Sequence, residues 1–292
     1  MTYSIVARDP ANGQLGVAVQ SHFFSVGSVV PWARPDVGAV ATQANARLDY
    51  GPRGLELMAG GRTAAEALDA LRAQDPGAAM RQVAMIDADG TVAGHTGAGC
   101  IRFAGDVQAD GVSCQANIMR SEGVPEAMLE AFMWRSGPLA ERLLAALVAA
   151  EEAGGDLRGR QSAALLVVPG SGDPWETTVS LRVEDDEDPL GELARLLRLH
   201  GAYALLGEGD EATAQGNAAA AGERFRRASE LASGEREIRF WGALGMAGAG
   251  DEDGAVRELS AICNEDPAWR ELLARLPGEV GPVAERLLAR LG

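Results

Sequence analysis

Lysine is missing from this chain: all 26 basic side chains among its 292 residues are arginine. No lysine amine is therefore available as a general base, a Schiff-base former or a charge partner, so a reactive site has to draw on arginine, amides, hydroxyls, histidine or the N-terminus. Cysteine is nearly as scarce. Cys100, Cys114 and Cys263 form no CxxC pair and are too scattered for a disulfide framework or a zinc site. Cys100 and Cys114 are expected in strands as small buried hydrophobes. No run approaches the ~20 apolar residues that a membrane span needs, and the start of the chain lacks the basic region and apolar core of a signal peptide. The formal net charge of −16 argues against nucleic acid and anionic membrane as partners. Missing too are HExxH, histidines paired at helical spacing, GxGxxG and Walker sequences, so no metal and no cofactor is expected. A Ser-His-Asp triad built on His22 or His95 would lack the G-x-S-x-G elbow that presents a serine. These absences point to a cytoplasmic, soluble protein whose partner is a small-molecule substrate.

What is present begins at the second residue. Threonine is small enough for an aminopeptidase to remove Met1, and that would make Thr2 terminal. A terminal threonine joins a hydroxyl nucleophile to an α-amine whose pKa of roughly 7.7–8.0 suits it to act as base. The segments 4–7 and 15–21 are largely apolar and flank Asp9-Pro10-Ala11-Asn12-Gly13, a hairpin signal. With the turn centred on Asn12 and Gly13, Ser4 is expected opposite Ser21 and Thr2 opposite Phe23. Both faces of the hairpin are apolar or small, which suggests cover on both sides.

Further along, a third strand is expected over 37–44 and a short helix opened by Pro52. Thr63 and Glu66 have the spacing of a capping box for a helix over 64–73. A second hairpin, 81–86 with 91–95, turns at Asp89-Gly90. A strand over 112–117, helices over 125–134 and 139–153, and strands over 162–168 and 177–183 complete the part. Strands in groups and helices in pairs suggest sheets sandwiched between helix layers. The acidic run Glu184 to Asp188 reads as a solvated linker, giving domains 1–189 and 190–292. In the second, Ala221-x3-Phe225-x2-Ala228 recurs as Ala255-x3-Leu259-x2-Ile262 at an offset of 34, as do Gly216 and Gly250. That period resembles tetratricopeptide repeats, with 269–276 and 283–291 as closing helices. The tail is expected to mediate packing, as in a homo-oligomer such as a dimer.

Polar residues stand at strand ends where apolar ones are expected. Gln43 and Asn45 close the third strand, and Asn117 closes a later one. Tyr50 to Gly54 opens a helix whose free N–H groups suit an anion or oxyanion. Arg158 and Gln161 precede another strand. Amides and arginines so placed can hold an amide or carboxylate substrate.

The segments Thr2 to Asp9, Leu15 to Ser21, Gly27 to Trp32, Gly38 to Gln43, Tyr50 to Gly54, His95 to Gly97 and Gly159 to Leu166 closely resemble the domain of unknown function 1028 family, uncharacterised proteins placed in the Ntn-hydrolase superfamily. The resemblance spans roughly 1–190. The tail, from about Leu193, looks like the peptidoglycan-binding-like domain often fused to that family. The resemblance implies an α+β fold, a four-layer αββα sandwich of two antiparallel sheets, followed by a small all-α domain. It also implies amide hydrolysis by an N-terminal nucleophile, with Thr2 at the nucleophile position. Proteasome-like members use a lysine nearby; here Gln43 stands near that position. A retained Met1 would deprive Thr2 of its amine, leaving Ser4 as a weaker fallback.

The expectation is an amidohydrolase of a small amide. Thr2 is the nucleophile, Gln43, Asn45 or Asn117 hold the oxyanion, Arg53 or Arg158 bind a substrate carboxylate, and Ser21 and Gln161 supply polar contacts. The rival expectation is a non-catalytic scaffold whose helical tail recruits a protein partner.

Overall fold

The computed structural model describes residues 2–276 and 281–292. The chain divides into two compact units, 1–194 and 195–292.

The first unit is built on two antiparallel sheets. β1 (Thr2–Arg8), β2 (Leu15–Ser21), β7 (Gly105–Ala109), β8 (Val112–Asn117), β9 (Ser162–Val168) and β10 (Val179–Val183) form a six-stranded sheet in the order β10-β9-β2-β1-β8-β7. β3 (Pro31–Arg34), β4 (Gly38–Ala44), β5 (Arg81–Asp87) and β6 (Val92–Thr96) form a second sheet in sequence order. Val6, Val17, Val19 and Ala164 of one sheet meet Ala39, Ala41, Ala84 and Ile86 of the other in a fully buried core. Helices α1 (Tyr50–Ala59) and α2 (Ala64–Arg72) bury Leu55, Met58, Leu68 and Leu71 against Val40, Val83 and Met85 on the far side of the four-stranded sheet. Helices α3 (Val124–Trp134) and α4 (Leu139–Glu152) cover the other face of the six-stranded sheet. Each sheet is thus buried on both sides, which is why both faces of β1 and β2 are apolar.

Several expectations change. The hairpin pairs Thr2 with Ser21 and Ser4 with Val19, two residues from the expected register. The connection spans Asp9 to Gln14 and is wider than a two-residue turn. Pro10 has no N–H to give. The Asp9 and Asn12 carboxyl and amide oxygens instead accept from Ala11 N and Gln14 N, making two small side-chain turns. The strand expected third is fourth, because β3 precedes it, and β7 also lies outside the expected set. Cys114 sits in β8, buried, but Cys100 is in the turn after β6, its thiol against the Arg81 carbonyl. The capping box at Thr63 and Glu66 forms as expected.

Six helices follow. α5 (Pro189–Ala214) contains the division between units, and α6 (Ala218–Leu231), α7 (Arg236–Gly248), α8 (Glu252–Glu265), α9 (Ala268–Ala274) and α10 (Gly281–Leu291) complete the second unit. The residues that recur at an offset of 34 occupy matching positions along α6 and α8. Ala221, Phe225 and Ala228 on α6 and Ala255, Leu259 and Ile262 on α8 all enter one buried core. Asn217 and Asp251, also 34 apart, cap these helices by accepting from Ala220 N and Gly254 N. Among the described residues no helix is long and apolar enough to cross a membrane.

Candidate active site

Thr2 opens β1 between Ser21 of β2 and Asn117 of β8, its direct partners on the two neighbouring strands. Residues opposed on antiparallel strands project to the same face, and here that face meets the second sheet. The Thr2 and Ser21 hydroxyls lie 3.0 Å apart. From the facing sheet come Gln43 on β4 and its direct partner Gln82 on β5.

These amides join a chain of buried hydrogen bonds that runs in one direction. Ser113 Oγ donates to Gln115 Oε1 (3.1 Å), and Gln115 Nε2 donates to Ser4 Oγ (2.6 Å). Ser4 Oγ donates to Gln43 Oε1 (2.7 Å), and Gln43 Nε2 to Gln82 Oε1 (2.8 Å). Gln82 Nε2 donates to Thr96 Oγ1 (2.9 Å), whose hydroxyl ends the chain on Asp106 Oδ1 (2.6 Å). Each bond polarises the next, and a satisfied network in a dry interior is worth more than its separate pairs. Gln82 is its hub. Its oxygen also accepts from Asn117 Nδ2 (2.9 Å), and its nitrogen also reaches the Gly105 and Ala116 carbonyls, so one side chain ties the sheets together.

Two expected residues therefore hold the end of β1. Gln43 Nε2 and Asn117 Nδ2 donate to the Thr2 carbonyl at 3.4 and 3.3 Å. Asn117 Oδ1 is buried and has no hydrogen-bond partner among the described residues. Acceptors on both sides of Nδ2 fix which way this amide points. Ser4 is buried with its hydroxyl engaged as both donor and acceptor, so it offers no free nucleophile.

Above the Thr2 and Ser21 hydroxyls is a cavity of about 70 Å³, lined by these two residues, Gln43, Ala44 and Ala46, and by Phe23, Val26, Val29 and Val30. Ala44 adopts φ +66°, in the left-handed region that a Cβ disfavours. The kink ends β4 and turns 44–47 into one wall of the cavity. An ionic cluster braces that wall: Asp75 pairs with Arg47 and Arg81, and Arg81 also donates to the Asn45 carbonyl at 2.5 Å. Arg81 and the Gly77 N–H hold the Asp75 carboxyl down at about 2. Burial and the neighbouring carboxylate push the Tyr50 phenol up to about 12.

The remaining expected residues lie away from this cavity. Asn45 is exposed beyond the end of β4. Arg53 is half-buried on α1, bonded to Asp49 and Gln74. The N–H groups of Tyr50, Gly51 and Arg53 donate to the Arg47, Leu48 and Asp49 carbonyls, so this helix start presents no open anion site. Arg158 pairs with Asp156, whose buried carboxylate also accepts from His22 N and anchors the end of β2. Gln161 donates to Asp185 and borders a second cavity, of about 350 Å³, with His22, Arg160, Asp186 and Glu187. Gln82 and Asp156 were missed from the sequence. The signal for Gln82 is an amide between Arg81 and the apolar run that follows in β5; Asp156 carries no comparable signal.

The groups flanking β1 on its other face play structural parts. Tyr3 donates to Glu151 at 2.8 Å, and burial together with that carboxylate raises its phenol. Burial raises the Cys114 thiol, which keeps it protonated and unreactive.

No curated protein matches the chain. Among solved structures, protein SPO2555 from Silicibacter pomeroyi, itself assigned to DUF1028, is 33% identical over 68% of this chain and 88% of that one, with a TM-score of 0.62. Anbu (ancestral beta-subunit) from Yersinia bercovieri is 12% identical over 66% of this chain and 91% of that one, with a TM-score of 0.34. The family described as "Family of unknown function (DUF1028)" matches residues 2–193, the whole of the two-sheet unit. On that extent of match and on the likeness to SPO2555, this chain belongs to the DUF1028 family.

Proposed function

We propose that the first unit is an N-terminal-nucleophile hydrolase of the Ntn type, acting on a small amide. The observation that carries this reading is the Thr2 hydroxyl at the floor of a cavity, on a strand end held by two amides. In the chain freed of Met1, the Thr2 amine takes the hydroxyl proton as Oγ1 attacks the substrate carbonyl. The Oγ1–carbon bond forms, the carbon–nitrogen bond breaks, and the proton passes to the departing amine. Water then hydrolyses the ester and restores Thr2. Asn117 Oδ1, a buried acceptor beside Thr2, supplies a partner for the Thr2 ammonium. Gln43 stands where a lysine would be expected in proteasome-like sites. It orients Thr2 through the Thr2 carbonyl and leaves the α-amine as the base.

Two measurements test this. Intact mass of the purified chain reports whether Met1 is gone; turnover by a chain that uniformly retains Met1 would sink the mechanism. Thr2→Ala should lower turnover by about 10³-fold or more while shifting thermal stability little.

A second reading is favoured by the smallness of the cavity and, among the described residues, the lack of a charged side chain lining it: a non-catalytic scaffold, with the helical unit as the docking element. A threonine-directed electrophile separates the two, since an adduct on Thr2 of the processed chain belongs to the hydrolase alone.

A further inference from the structure

We infer that the substrate of Thr2 carries a carboxylate, and that Arg102 and Arg120 bind it on a lip just beyond the Thr2 end of β1. This rests on the hydrolase reading above and names its substrate class.

The lip is made of residues 101–103 and 118–120. Asn117 is the direct partner of Thr2 on β8. Arg120 follows it by three residues, a reach of at most about 11 Å along the chain. The two segments lie side by side: Ile118 N donates to the Ile101 carbonyl at 3.3 Å and Met119 N to the Phe103 carbonyl at 3.2 Å. The far edge is tied as well, Arg120 N to the Gly155 carbonyl and Leu157 N to the Ile118 carbonyl. The backbone that carries both arginines is therefore fixed.

That backbone is also strained. Phe103 and Ile118 adopt φ +55° and +57°, in the left-handed region where a bulky or β-branched residue is an outlier. Such conformations persist only where the surroundings over-determine them, and they gather at active sites and ligand clamps.

Charge supplies the ligand. Carboxylates outnumber arginines in this chain by 42 to 26, and the neighbouring arginines are paired: Arg47 and Arg81 with Asp75, Arg158 with Asp156, Arg160 with Asp188. Arg102 and Arg120 differ. Both are exposed, and among the described residues neither has a carboxylate within ion-pair distance, Glu122 included. The Arg102 guanidinium lies 4.8 Å over the Phe103 ring, which steadies it without neutralising it. Two unneutralised guanidinium forks on one fixed edge suit a carboxylate, which accepts from arginine in bidentate fashion. The flank beyond Ser21 has the opposite charge. There Asp185, Asp186 and Glu187 border His22 and Gln161. An anion is repelled from that side, so the substrate lies across Thr2 in one direction.

The test compares a carboxylate with its carboxamide, using the full chain freed of Met1. Glutaryl p-nitroanilide against its terminal carboxamide puts the charge on the acyl side; acetyl-4-aminobenzoate against acetyl-4-aminobenzamide puts it on the leaving side. In at least one pair the carboxylate should lead in kcat/KM by roughly tenfold or more. Arg102→Gln combined with Arg120→Gln should bring that ratio to about one while leaving the unfolding midpoint near that of the parent, since both side chains are exposed. The same compounds should slow labelling of Thr2 by a threonine-directed electrophile in the same order, a readout that holds even if none is turned over. Labelling of Thr2 with no carboxylate preference in turnover or protection overturns the inference and leaves the hydrolase reading standing. So does a preference that survives in the double variant. Neither turnover nor label overturns both.

Discussion

Gln82 accepts from two buried amides and donates to three acceptors, which makes it the side chain on which the inter-sheet network turns. Removing it takes one acceptor each from the Gln43 and Asn117 amides, which keep only their bonds to backbone carbonyls, and a buried N–H left unpaired costs about 1–3 kcal/mol. Gln82→Ala should therefore destabilise the first unit by about 2–4 kcal/mol, measured by urea unfolding. It should also loosen Thr2, whose carbonyl is held by the same two amides, so turnover should fall further than stability alone accounts for. A loss under about 1 kcal/mol would mean that the network is not cooperative. At this scale the sequence was legible in part. Gln43 and Asn117 stand at strand ends, where an amide is conspicuous, and both reach the Thr2 carbonyl. Asn45, Arg158 and Gln161 share that position type and Arg53 stands at a helix start, but these four serve loops and local ion pairs. Strand-end placement says that a polar group is present, and the register and the facing sheet decide where it points.

Among the elements, α1 shows how close the packing is on the outer face of the four-stranded sheet. A Cβ added to Gly51 would come within 2.4 Å of the Trp32 ring, so the glycine is what lets the helix start lie flat on β3. Gly51→Ala should cost about 1–3 kcal/mol through this overpacking, read as a lower midpoint of thermal unfolding; an unchanged midpoint would show that Trp32 can move aside. Helices and central strands were legible because their signals are local or periodic. Thr63 and Glu66 announce α2, and the apolar runs of β1, β2, β5 and β9 announce buried strands. β3 and β7 escaped for a shared reason. Both are short edge strands of intermediate burial, Pro31–Arg34 and Gly105–Ala109, and neither carries the continuous apolar run of a strand buried on both faces. The β1–β2 register was lost to chemistry inside the loop, where Pro10, Asp9 and Asn12 make a six-residue connection out of an apparent Asn-Gly turn.

For the molecule as a whole, the Asp75 cluster couples stability to pH at both ends of the range. In the folded chain the Asp75 carboxyl is held at about 2 against an ordinary 3.8, chiefly by Arg81. The unfolded chain therefore takes up this proton first as the solution is acidified. Stability from the cluster is complete above about pH 4 and is lost as pH falls towards 2. Tyr50, bonded to the same carboxylate at 3.2 Å, behaves in the opposite sense. Its phenol is raised from 10.0 to about 12, so its contribution is whole below pH 10 and disappears as pH rises to 12. The unfolding midpoint should thus fall steeply in both windows. Asp75→Asn should flatten the acid limb, because the titrating group is gone, and should narrow the alkaline one, because Tyr50 loses its carboxylate neighbour. Tyr50→Phe should flatten only the alkaline limb. An Asp75→Asn variant whose acid limb matches the parent would show that other carboxylates, such as Glu252 and Glu265 with their arginine partners, set the acid limit instead.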